Sequence, residues 1–270
     1  MTQKVVLITG ASSGIGKAIA EFLQQKHFIV YGTSRNPEQN LDAEVKLIQL
    51  EVTDASSIQT AIAQVLHKEG RIDVLINNAG IGITGALEEI PTAEMRRNFE
   101  TNLFGPIEVI KAVLPQMRKQ GSGLIINITS IAGYMGLPFR SVYSASKGAL
   151  ELTTEALRME VKPFGIQVTN IAPGDFATNI AQGRYHAPLV KDSDYEKTYK
   201  LTLDLMDAHV DSGNNPLEMA KAVYKIINTP SPKVHYKVGS FLQKFSIILK
   251  RILPDKVYEA MLMKHYKLKK

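Results

Sequence analysis

Short β-branched runs recur at Val5–Ile8, Phe28–Thr33, Val45–Leu50, Val74–Asn77, Gly123–Ile128 and Gln167–Ile171. Amphipathic stretches at helical spacing lie between them and beyond, at Ile15–Gln25, Ala55–His67, Thr92–Asn102, Pro106–Lys119, Tyr143–Val161 and Pro216–Asn228. That alternation predicts a parallel sheet covered by helices on both faces. Right-handed crossovers make it an α/β doubly wound sheet of the Rossmann type. Pro115 is expected to kink or divide the helix that contains it. The pattern loosens over residues 175–215, a candidate lid above the strand C-termini, where ligands of such sheets lie. The Pro-rich Thr229–Lys233 divides the chain into a body, 1–232, and a basic, amphipathic, helical extension, 233–270.

Composition narrows the reading. The 270 residues, 44% hydrophobic and 21% charged, suit one α/β domain and give no case for disorder. The absence of cysteine excludes disulfides, thiolate catalysis and Cys-based zinc sites. The six histidines lack metal-ligand spacing, so no metal is expected. Met1–Lys4 runs straight into the first strand, too short for a signal peptide, and no run reaches the roughly 20 apolar residues of a membrane-crossing helix. The expectation is a cytoplasmic protein. Residues 233–270 hold ten Lys/Arg against Asp255 and Glu259, a formal +8, whereas the rest holds 22 basic and 24 acidic residues, or −2. With the excess confined to the tail, no nucleic-acid partner is expected.

The turn Thr9–Gly16 follows a strand and enters a helix, the context in which a glycine-rich loop binds a dinucleotide. Gly10, Gly14 and Gly16 allow a tight turn and close approach of the backbone, and the helix start, with Ser12, Ser13 and Ile15, favours a pyrophosphate. At the end of the second strand, where a carboxylate would hold the ribose 2′-hydroxyl of NAD, stands Ser34-Arg35. A 2′-phosphate meets no repulsion there and Arg35 can pair with it, so NADP(H) is preferred over NAD(H). Farther on, Tyr143 and Lys147 are four residues apart, on one face of a helix. The ammonium can therefore stabilise the ionised phenol and make the tyrosine an acid/base group.

In order along residues 5–178 these motifs resemble those of the short-chain dehydrogenase/reductase family. Asn102, Ser130, Tyr143 and Lys147 match all four members of its catalytic tetrad. Asn102 and Ser130, each ordinary when taken alone, gain their meaning from that match. Asn77-Asn78-Ala79-Gly80 matches the segment that supports the sheet and touches the cofactor. Glu51, followed by Val52, stands where the family usually has an aspartate for the adenine amino group. Pro173, Gly174 and Thr178, with Phe176 between them, match the stretch at the nicotinamide carboxamide. The resemblance implies that Tyr143 exchanges a proton with the substrate oxygen and Ser130 stabilises that oxygen. Lys147 acts on Tyr143 and holds the ribose, and Asn102 completes a proton relay through water. It also implies homodimers or homotetramers built on Asn98–Lys119 and Tyr143–Val161.

Ile81–Ile83, Tyr134–Phe139, Phe176 and Ile180 are expected to line an apolar pocket, with Arg140 and Arg184 able to bind a carboxylate. A lipophilic ketone, aldehyde or alcohol fits best. The last hundred residues look more loosely like the branch of 17-beta-hydroxysteroid and retinol dehydrogenases, which leaves steroid, retinoid, lipid and xenobiotic carbonyls open. A 3-oxoacyl-thioester reductase is the second enzymatic reading, and a cofactor-bound sensor or scaffold without turnover the third. The segment Phe241–Leu253 either lies in a membrane interface as a peripheral contact or packs on the body or a second subunit.

Overall fold

The computed structural model describes residues 3–40, 45–176, 183–211 and 213–268, leaving out the side chains of 39–40 and 207–211. Its strands are β1 (Val5–Ile8), β2 (Ile29–Ser34), β3 (Leu47–Gln49), β4 (Val74–Asn77), β5 (Ile83–Thr84), β6 (Gly123–Ile128), β7 (Ile166–Pro173), β8 (Tyr185–His186) and β9 (His235–Val238). Seven of them form one parallel sheet in the order β3-β2-β1-β4-β6-β7-β9, and β5 pairs with β8 outside it. The fold is the expected doubly wound Rossmann sheet. The order reverses between β1 and β4, so the ligand crevice opens above the C-terminal ends of those two strands.

The connecting helices are α1 (Gly14–Gln25), α2 (Ala55–Glu69), α3 (Thr92–Phe99), α4 (Gly105–Gln120), α5 (Ser141–Val161), α6 (Glu196–Asp211), α7 (Leu217–Ile227), α8 (Phe241–Ile252) and α9 (Asp255–His265). Alternate strand residues serve opposite faces: Val5 and Leu7 pack with Ile58, Val65, Val109 and Val113 from α2 and α4. Val6 and Ile8 pack with Ile19 and Leu23 of α1 and Met219 and Val223 of α7. Because both faces are covered, the strands are apolar at successive positions.

Three differences from the sequence reading have physical causes. Pro115 sits inside an unbroken α4. Both Pro115 and Lys111, the residue whose carbonyl would have accepted the missing N–H, are exposed, so water can satisfy that carbonyl while Val109, Val113 and Met117 anchor the other face. The loose stretch after β7 contains α6, fastened to the body by Tyr199, which is 1% exposed and donates its hydroxyl to the Thr84 carbonyl at 3.0 Å. The extension also begins inside the sheet, because β9 pairs with β7 from Asn170↔His235 to Pro173↔Val238.

A polar knot secures that edge. The Glu151 carboxylate, 5% exposed, accepts hydrogen bonds from Tyr134 Oη at 2.9 Å, Asn170 Nδ2 at 2.9 Å and Thr129 Oγ1, and meets His235 Nδ1 at 2.8 Å. Glu155 meets His235 Nε2 at 3.0 Å. Burial, then Glu151, pushes the Tyr134 phenol well above its usual range. Glu151→Ala strands several buried donors at once and should cost about 3 kcal/mol. Urea or thermal unfolding of the purified variant measures it, and an unchanged midpoint would refute this role.

Candidate active site

The cofactor turn is built by close approach. Gly10 has φ +66°, and a Cβ on Gly16 would collide with the Gly10 carbonyl oxygen and the Asn78 side-chain amide. Asn78 donates from Nδ2 to the Thr9 and Gly10 carbonyls at 3.0 and 2.9 Å. Thr9 Oγ1 accepts the Asn78 and Ala79 N–H groups, each at 3.0 Å. The ends of β1 and β4 are thereby tied together under the crevice. Ser13 precedes α1 without a side-chain cap, which leaves the first helical N–H groups facing outward. A pyrophosphate fits this cradle.

At the end of β2, Ser34 is buried and its Oγ accepts the Asn36 N–H at 3.3 Å, while Arg35 is exposed. Glu51 turns Oε1 toward the N–H and hydroxyl of Thr53, at 3.2 and 3.1 Å. Val52 is buried in the core. Pro173 and Gly174 close β7, the Gly174 N–H reaching the Val238 carbonyl at 2.8 Å. Phe176 is buried, and Thr178 and Ile180 lie outside the described residues.

The four residues of the tetrad motif come from three elements. Between α3 and α4 a π-helical turn, Glu100–Phe104, carries Asn102, which is fully buried. Its Oδ1 accepts the Ile81 N–H at 2.9 Å and its Nδ2 donates to the Ile81 carbonyl at 2.9 Å. Asn98 Nδ2 donates to the same carbonyl at 3.0 Å, and Ser146 Oγ donates to Asn98 Oδ1 at 2.9 Å. Asn98 and Ser146 were not singled out from the sequence, although Asn98 and Asn102 are spaced one turn apart. Ser130 follows β6 and caps the short turn Ile131–Tyr134, its Oγ accepting the Ala132 N–H at 3.1 Å.

Tyr143 and Lys147 occupy the first turns of α5, 8% and 5% exposed. Lys147 Nζ donates to the Ile128 carbonyl at 3.0 Å. A Cβ on Gly80 would stand 3.1 Å from Asn102 Oδ1 and 3.3 Å from Lys147 Nζ, which brings the Asn77–Gly80 segment against both side chains. Burial lowers the Lys147 ammonium below the usual lysine range, and the charges of Tyr143 and Glu151 oppose that drop.

A cavity of about 600 Å³ opens from this cluster. Ser130 and Tyr143 share it with Gly82, Ile83, Met135 and Leu137, and with Pro173, Gly174 and Phe176. Arg140 and Arg184 line it too, as expected, and the Arg140 guanidinium lies 5.3 Å from the Tyr143 ring centre. Its remaining wall comes from the extension, notably Leu242, Phe245 and Leu249 of α8 and Tyr258, Met261 and Leu262 of α9. Tyr258 fixes α9 in place, its hydroxyl 2.8 Å from Met135 Sδ. The apolar spacing of residues 241–265 was the signal for this wall.

A short chain dehydrogenase family model matches residues 4–188. Over 98% of this chain and 99% of the relative, the sequence is 41% identical to 3-ketodihydrosphingosine reductase of Bacteroides thetaiotaomicron. Among solved structures, a short-chain dehydrogenase from Streptomyces avermitilis superposes with a TM-score of 0.84 at 36% identity, covering 99% of this chain and 98% of that one. An alcohol dehydrogenase of the archaeon Thermococcus sibiricus, complexed with 5-hydroxy-NADP, gives a TM-score of 0.72 at 26% identity over 89% and 97% of the two chains. The chain belongs to the short-chain dehydrogenase/reductase family of oxidoreductases, in its steroid- and retinol-dehydrogenase-like branch.

The Lys147 shift has a definite sign. Its folded pKa lies below the unfolded value, so stability should rise with pH through the alkaline window between the two. Lys147→Met should flatten that rise and melt no lower than wild type at neutral pH while losing turnover. Melting temperature against pH checks it, and an equally steep rise in the variant would contradict it.

Proposed function

We propose that the protein is an NADP(H)-dependent oxidoreductase that interconverts a lipophilic ketone or aldehyde and its alcohol, with a long-chain keto lipid as the favoured substrate class. The observation that carries this reading is the cavity itself, which holds Ser130 and Tyr143 at one end and an apolar wall from α8 and α9 at the other. The 3-ketodihydrosphingosine reductase relative supports it, because that name describes reduction of a lipid ketone.

The nicotinamide dinucleotide, when bound, supplies or accepts the hydride. Gly10–Gly16 would hold its pyrophosphate, Ser34 and Arg35 a 2′-phosphate, Glu51 and Val52 the adenine side, and Asn78–Gly80 with Pro173–Thr178 the nicotinamide half. In reduction Tyr143 donates its hydroxyl proton to the substrate oxygen, and in oxidation it takes that proton back. Ser130 donates a hydrogen bond to the same oxygen. Lys147 places a positive charge one turn from the phenol that has given up its proton. Asn102 holds Ile81 and so the floor of the cavity. Phe104 of the π-helical turn and Leu152 and Met159 of α5, 49%, 68% and 71% exposed, support a homo-oligomer built on α4 and α5.

Tyr143→Phe should lower NADPH-dependent reduction of long-chain 3-keto lipids by roughly 10²–10⁴-fold while NADPH binding, read by fluorescence, persists. Substantial residual turnover would remove Tyr143 from this role. Arg35→Ala should raise the KM for NADPH about tenfold and leave that for NADH unchanged, and equal shifts for both would remove the 2′-phosphate assignment.

A further inference from the structure

Helix α8 faces the wrong way for a helix that only completes a core. Its inner side carries Gln243, Ser246 and the buried Ile247. Phe241, Phe245, Ile248 and Ile252, at i, i+4, i+7 and i+11, form a single stripe on the opposite side and are 73%, 37%, 50% and 68% exposed. Leu242, 75% exposed, widens the stripe, and Val257 and Met261 of α9 continue it at 47% and 44%. The Phe241 and Phe245 rings stack on each other at 5.6 Å. Lys244 and Arg251 flank the stripe and are exposed, within an extension of formal charge +8.

This face is also the rim of the cavity, since Leu242, Phe245, Leu249 and Met261 line its wall. The helix is firmly set rather than frayed. Ser240 and Gln243 form a reciprocal cap, and Gln243 Nε2 donates to Asp175 Oδ2 at 2.6 Å. A rigid helix with an outward apolar stripe beside basic residues has the chemistry of an element that lies in a bilayer interface. It is about 18 Å long, and no described helix is long and apolar enough to cross a membrane.

We propose that the outer face of α8, continued by Val257 and Met261, docks on an anionic lipid bilayer and sets the cavity mouth against it, so that an acyl-chain substrate enters from the lipid phase. The docking rests on this surface alone, and only the entry route rests on the lipid reading above. A second copy fits the face less well, because apposed extensions would bring together like charges of +8.

Co-sedimentation of the full chain with vesicles tests the proposal. Wild type should pellet with mixed phosphatidylglycerol and phosphatidylcholine vesicles and stay in the supernatant with phosphatidylcholine alone. The triple variant Phe241→Ser, Ile248→Ser, Ile252→Ser alters no residue of the cavity wall. It should bind the anionic vesicles at least about tenfold more weakly, with wild-type melting temperature and wild-type turnover of a short water-soluble ketone. Wild type that stays in the supernatant with anionic vesicles, or a triple variant that pellets equally, overturns the proposal. So does a wild-type oligomer that the triple variant dissociates in the absence of vesicle binding, which would give the face to a second copy. Patch-dependent vesicle binding by a protein with no reductase activity would sink the substrate reading and leave the docking face standing.

Discussion

An ammonium group kept from water by the protein interior must be held by something, and around Lys147 that requirement organises the site. The carbonyl that receives it belongs to Ile128, the last residue of β6, so the sheet and α5 are tied together beside Tyr143. The approach needs a missing side chain on each partner. A Cβ on Gly133 would stand 3.0 Å from the Lys147 carbonyl carbon, and one on Gly148 would stand 2.9 Å from the Gly133 oxygen. The segment from Ser130 to Tyr134 therefore rests directly on the α5 backbone, which fixes Ser130 beside Tyr143 in the same cavity. One turn beyond Lys147, Glu151 holds Thr129, Tyr134 and His235. One helix thus presents Tyr143 and Lys147 from its first turns and anchors β9 from its next.

Much of this was legible in the sequence, and the failures were informative. The six predicted strands all form within a residue or two of their expected ends, because burial on both faces demands continuous apolar runs that the chain supplies in only those places. β9 was missed since His235-Tyr236-Lys237-Val238 contains two polar residues, and its pairing depends on Glu151 and the β7 edge rather than on its own composition. α6 was missed because its anchor, Tyr199 bonding Thr84, spans 115 positions that no local pattern reports. Pro115 misled because the rule against proline in a helix assumes a carbonyl with no alternative partner, and here that carbonyl lies on the wet side.

Asn102, Ser130, Tyr143 and Lys147 stand out in the sequence as a motif, but the contacts that hold them do not. The family resemblance gives Asn102 a place in a proton relay, and the structure adds that its amide is engaged with the Ile81 backbone alongside Asn98. The pocket showed the same division. Its inner residues follow from the motifs, while the outer wall comes from residues more than 100 positions downstream of Ser130.

That distance along the chain has a temporal side. The β1–β4 crevice, the Thr9–Gly16 turn and Asn102, Ser130, Tyr143 and Lys147 all lie within the first 147 residues of the chain. The sheet edge and the hydrophobic roof are synthesised after these parts, so until residues 235–262 emerge a nascent chain leaves Met135, Ala172 and the Glu151 carboxylate uncovered. A chain stopped between residues 232 and 241 would carry Ser130, Tyr143 and Lys147 but lack the α8 and α9 wall of the cavity beside them.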